Sequence, residues 1–62
     1  MQKWAYRIFQ SNGGTVTLPT GPTTVIQMLN LAGSHGGEVV AVVNAGPNIY
    51  EWVIKFPADP PF

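Results

Sequence analysis

The chain contains no cysteine. That absence excludes a disulfide staple and a thiolate metal site. One histidine, His35, cannot hold a zinc ion alone, so neither a metal nor a cofactor is expected. Charge is scarce as well. Three Lys and Arg balance three Asp and Glu, and charged residues make up 10% of the chain, against about 25% in an ordinary domain. A net charge of zero argues against DNA or RNA as partner, because phosphate neutralisation needs several cations. No apolar run approaches the ~20 residues of a membrane span. A basic leader followed by a long apolar stretch is also lacking, so the expected location is the cytoplasm.

What is present is a short chain rich in Val, Ile, Trp and Phe. Sixty-two residues allow one domain, assigned to residues 1–57, with a proline-rich tail at 58–62. At this length apolar burial and chain ordering nearly cancel. Small domains then lean on a disulfide, a metal or a second copy, and only the copy is left here. Low charge on an apolar chain points the same way, because a lone monomer normally carries more charge to stay dispersed. Self-association is therefore expected.

Periodicity supplies the elements. Residues 3–9 read as a strand, with Trp4, Tyr6 and Ile8 on one face and Lys3, Ala5, Arg7 and Phe9 on the other. Ser11-Asn12-Gly13-Gly14 reads as a tight hairpin turn. Residues 15–18 alternate as a short return strand. Pro19-Thr20-Gly21-Pro22 is read as a strand stop, with Pro22 in the first turn of a helix and Thr20 or Gly21 as its cap. From Thr23 the spacing is helical. Val25, Leu29 and Ala32 share a face widened by Ile26 and Met28, and Gly33 is the expected C-terminal cap. Residues 38–43 are apolar on both faces, which normally means cover on both faces. A single helix covers one. Residues 49–56 form the last strand, with Tyr50, Trp52, Ile54 and Phe56 on one face. The expected class is α+β: one helix on a small antiparallel sheet of three to four strands, in the order strand, optional short strand, helix, strand, strand.

The stretches Trp4-Ala5-Tyr6-Arg7, Leu29-Asn30-Leu31-Ala32-Gly33, Gly36-Gly37-Glu38-Val39-Val40-Ala41-Val42-Val43 and Ile54-Lys55-Phe56-Pro57 resemble a family of small domains of unknown function. Many bacteria and some of their phages encode it. Its members open with Trp-x-Tyr-Lys, carry a helix ending in Leu-Asn-x-x-Gly, and continue through Gly-Trp-Glu-Leu-Val into a valine-rich strand. The resemblance covers most of the chain apart from the Asn-Gly turn and the tail. It implies the same fold and assigns no catalytic residue. Where the family has tryptophan after the glycine, this chain has Gly37, which leaves either a looser loop or room for a ligand.

Candidate binding residues follow from chemistry. His35 is the one side chain suited by type to proton transfer near neutrality. Neither a positioned nucleophile nor an orienting carboxylate is evident beside it, so a solvated loop histidine outweighs a ligand contact. Gly33, Gly36 and Gly37, with Ser34 among them, offer backbone N–H groups to an anion, yet a P-loop needs Gly-Lys-Ser/Thr leading into a helix. A helix cap and turn is the plainer reading. Thr20, Gly21, Thr23 and Thr24 begin a helix, whose N-terminus attracts anions; ordinary capping is the plainer reading there too. Arg7 and Lys55, with Lys3, form either an anion patch beside Glu51 or a solvated face with weak ion pairs. Trp4, Tyr6, Tyr50 and Trp52 belong mostly under the helix; the sharper alternative has one of them, such as Trp52, stack on a planar ligand. No paired carboxylates are available for hydrolysis.

The leading expectation is a non-enzymatic homo-oligomeric binding protein, bacterial or phage-encoded. It would hold or sequester a small anionic, nucleotide-like ligand at protomer boundaries. The alternative is a structural or protein-interaction module without a small ligand, using a sheet edge or the tail.

Overall fold

The computed structural model describes residues 3–62. The first two residues of the expected 1–57 domain lie outside that range. Five strands and one helix follow in the order β1 (Ala5–Asn12), β2 (Thr15–Leu18), β3 (Gly21–Thr24), α1 (Val25–Ser34), β4 (Glu38–Gly46) and β5 (Ile49–Phe56). They build one antiparallel sheet with spatial order β3-β2-β1-β5-β4. This corrects the expected three to four strands and their order, since three strands precede the helix rather than one or two.

The extra strand is β3, where Pro19 to Pro22 reads as a stop. Leu18 pairs with Gly21 across a two-residue turn, and Thr17 pairs with Pro22. Proline removes a ladder donor, which a central strand does not tolerate. At the edge of the sheet that donor has no partner to lose. The helix consequently starts at Val25, and Thr24 is its N-cap rather than Thr20 or Gly21. Its other end runs past Gly33. Gly36 N–H donates to the Gly33 carbonyl at 3.0 Å and Gly37 N–H to the Ala32 carbonyl at 2.8 Å. These are the two bonds of a Schellman cap, with Gly36 at φ 76° supplying the left-handed residue.

The β1–β2 turn forms, but one residue later than an Asn-Gly turn would place it, on Gly13-Gly14. Asn12 pairs with Thr15, and Gly13 and Gly14 between them have φ 60° and 85°. Positive φ at both central residues is what a two-residue hairpin in a twisted sheet requires.

The central ladder joins β1 to β5 over eight pairs, from Ala5–Phe56 to Asn12–Ile49. It decides which face of β1 is inside, and the answer reverses the expected one. Phe9 and Ser11 are buried, whereas Tyr6 and Ile8 are 62% and 64% exposed. Trp4 and Tyr50 are exposed too. Both faces of β1 carry large apolar groups, so alternation alone cannot choose. Pairing chooses, because Arg7 and Phe9 lie opposite Ile54 and Trp52, on the side where helix and tail pack.

The core comprises Phe9, Val16, Leu18, Met28, Ala32, Ile54, Phe56 and Phe62. Met28 and Ala32 supply the buried part of the helix face, and Ile26 points out at 67% exposure. α1 packs over β2 and β3. The tail closes the rest of that face, with Phe62 stacked on Phe9 at 5.9 Å and edge-on to Phe56 at 5.9 Å.

β4 lies beyond this cover. It is an edge strand, and Val39, Val40, Val42 and Val43 are 44–50% exposed. The expectation that the helix covers one face of this strand fails, because α1 sits at the opposite side of the sheet. Among the described residues no helix is long and apolar enough to cross a membrane.

Candidate functional site

The candidate residues fall at separate places. Thr20 lies in the β2–β3 turn, Gly21, Thr23 and Thr24 lie on β3 with only Thr24 capping α1, and Ser34, His35, Gly36 and Gly37 lie at the far end of the helix. Ten residues at a rise of about 1.5 Å set these groups roughly 15 Å apart.

At the start of the helix the hydroxyls are engaged. Gln27 N–H donates to Thr24 Oγ1 at 3.1 Å, and Thr23 Oγ1 donates to Gln27 Oε1 at 2.8 Å. Thr24 is thus a true N-cap. At the other end Ser34 Oγ donates to the Leu31 carbonyl at 2.7 Å. His35 is exposed, with its ring 5.2 Å from that of Phe62. Gly37 offers no room. A Cβ there would stand 2.6 Å from Phe56 Cε1 and 2.9 Å from the Ala32 carbonyl oxygen. Phe56 occupies the volume beside Gly37.

The cations also separate. β1 and β5 are neighbours, yet Arg7 pairs with Ile54 and Lys55 with Tyr6, so the two side chains leave opposite faces of the sheet. Arg7 faces the helix side. Its Nη1 donates to Asp59 Oδ1 at 3.1 Å and its Nη2 to the Phe62 carbonyl at 2.7 Å. The guanidinium fork therefore fastens the tail to β1. Lys55 lies on the open face. Its Nζ is 3.6 Å from Glu38 Oε2 and 4.4 Å from the Trp4 ring centroid. Lys3, Arg7 and Lys55 do not gather beside Glu51.

Trp52 is half-buried on the helix side. Its Nε1 donates to Ser11 Oγ at 3.0 Å, and Ser11 Oγ donates onward to the Tyr50 carbonyl at 3.4 Å. Ser11 is buried and fully satisfied by this relay, which fixes the indole in the core wall.

Sequence reasoning missed the partners Asp59, Phe62 and Ser11. The tail carried a signal: an aromatic and a carboxylate among prolines, on a chain with a lone arginine. Among the described residues there is no pocket and no cluster of three metal-ligating side chains.

The larger feature is the open side of the sheet. Three rows cross it: Tyr6–Lys55–Glu38, Ile8–Val53–Ala41 and Gln10–Glu51–Val43. Its middle row is wholly apolar.

No family model matches the chain. No curated protein and no solved structure is significantly similar to it.

Proposed function

We propose that this domain is a non-enzymatic module that works by associating with further copies of itself in the cytoplasm. One observation carries the reading: apolar surface of the sheet stays uncovered, with Tyr6, Ile8 and Val43 exposed on the open side and Val39 and Val42 half exposed on the helix side at the β4 edge. Surface of that kind on a small domain marks an interaction site. Completing the burial of one half-exposed valine contributes on the order of 1 kcal/mol. Zero net charge leaves no general repulsion to keep copies apart. Light scattering between micromolar and millimolar concentration tests the idea. The expected mass exceeds the 6.7 kDa of one chain, and a strict monomer throughout that range sinks the proposal.

A second reading adds a small anionic, nucleotide-like ligand held at protomer boundaries. Among the described residues no pocket forms within one protomer, so this reading places the site between copies. It ranks second because Arg7, Lys55, Thr23, Thr24 and Ser34 already bond within the protomer. Calorimetry against ATP, NAD and cyclic dinucleotides separates the two readings. Saturable heat favours the second, and its absence at millimolar ligand favours the first.

A further inference from the structure

Glu51 stands out on the open face. The chain has three acidic side chains. Glu38 pairs with Lys55, and Asp59 with Arg7. Glu51 has no ion-pair partner among the described residues, although it is half-buried between Gln10 on β1 and Val43 on β4. A half-buried carboxylate set between an amide and a valine, with no cation beside it, is a poor arrangement for a face meant for water alone.

The pattern along β5 supplies a partner. Its open-face residues run Ile49, Glu51, Val53, Lys55, with one negative and one positive group on either side of Val53. A two-fold axis lying in the plane of contact, through Val53 and across the strands, turns this pattern onto itself. Glu51 then faces Lys55 of the second copy, which it shares with that copy's Glu38, Lys55 faces its Glu51, and the rows Ile8–Val53–Ala41 meet at the centre. A two-fold axis along the strands instead places Glu51 on Glu51 and Lys55 on Lys55. Charge thus selects the antiparallel arrangement. Isologous contacts require this self-complementarity.

Size permits it. The molecule is 16 Å thin against 39 by 22 Å. A small specific interface takes roughly 600 Å² from each partner, which is less than the product of those two longer extents. Facing sheets pack about 10 Å apart with their side chains interleaved.

Resting on the self-association reading above, we infer that two copies dock through the open face of the sheet, with Val53 at the two-fold axis and two reciprocal Glu51–Lys55 pairs flanking it. The occupant of this face is a second copy of the same chain.

Charge exchange tests the geometry. Glu51→Lys puts cation against cation at both pairs, and Lys55→Glu puts anion against anion. Each variant alone is expected to raise the dimer dissociation constant at least tenfold in sedimentation equilibrium. An equimolar mixture of the two restores both pairs, so a heterodimer with near wild-type affinity is expected. Circular dichroism establishes that each variant is folded. Should Lys55→Glu not fold, because it also loses Glu38 and Trp4, Ile8→Lys in the central row serves in its place and is expected to give a monomer. Two results overturn the inference differently. If wild type self-associates and neither Glu51→Lys nor Ile8→Lys weakens it, the open face is not the contact and self-association stands. If singly charged-reversed variants dissociate but their mixture does not recover, the antiparallel geometry is wrong. A wild type that is monomeric at millimolar concentration removes both this inference and the reading beneath it.

Discussion

Phe62 is the residue on which the helix-side face most depends. It touches Phe9, Phe56 and His35, and its carbonyl accepts from Arg7. Helix α1 covers β2 and β3, so this ring and the buried Pro60 shield the β1–β5 part of the core. Truncating a buried phenylalanine leaves a cavity and costs about 3–5 kcal/mol. The whole margin of a 62-residue domain is roughly 3–9 kcal/mol. Phe62→Ala is therefore expected to remove most of the stability, seen as a urea midpoint falling by half or more. A midpoint within experimental error of wild type would mean that the ring is dispensable to the core. Gly37 shows the converse constraint. Glycine is required there by the Phe56 ring at 2.6 Å from a would-be Cβ, and no signal in the neighbouring sequence distinguishes a glycine that makes space from one that is filled against.

At the scale of the element, β4 is the exception in this sheet. Natural edge strands are guarded by charge, proline or irregularity. β4 has register shifts between Val39 and Ala41 and between Asn44 and Gly46, but its only charge is Glu38 at one end. Val42→Lys places a charge on the half-exposed helix-side surface of this strand. It is expected to change the urea midpoint by less than about 0.5 kcal/mol equivalent while lowering turbidity on prolonged concentration. A loss of several kcal/mol would show that Val42 is packed more tightly than its exposure allows. The elements themselves were largely legible. Alternation marked β1, β2 and β5, and the spacing of Val25, Met28, Leu29 and Ala32 marked α1. Three things were not legible. β3 was hidden by Pro22, because proline reads as a stop unless one knows the strand is at an edge. The inward face of β1 was hidden because Tyr6 and Phe9 are equally apolar, and only pairing with β5 separates them. The tail was hidden because its role depends on Arg7, 52 residues from Asp59. The candidate site fared worse for one reason: threonines, glycines and cations that suit a ligand equally suit caps, close packing and ion pairs within the chain.

For the whole molecule, the strand order leaves one side of the sheet under helix and tail and the other side open. A single layer this thin gains from doubling. If folding and association are linked, stability depends on protein concentration. The thermal midpoint is expected to rise by several degrees between 5 µM and 500 µM chain, measured by differential scanning calorimetry. An unchanged midpoint would place folding and association in separate equilibria.

The same strand order has a kinetic consequence. Asn12 must find Ile49 before the central ladder can start, and the segment after β3 must carry the chain from one edge of the sheet to β4 at the other. Only the hairpins β1–β2, β2–β3 and β4–β5 are local in sequence. Even the nearest pair of the β1–β5 ladder, Asn12–Ile49, closes a loop of more than half the chain, and its entropy is lost before its contacts form. Non-local strand pairing of this kind folds in milliseconds to seconds rather than microseconds. During that interval the β4–β5 hairpin is a free ribbon of Val, Ile and Trp with no β1 beside it. Partnering at that stage would compete with the intramolecular search, so refolding that slows as chain concentration rises is the expected sign of it.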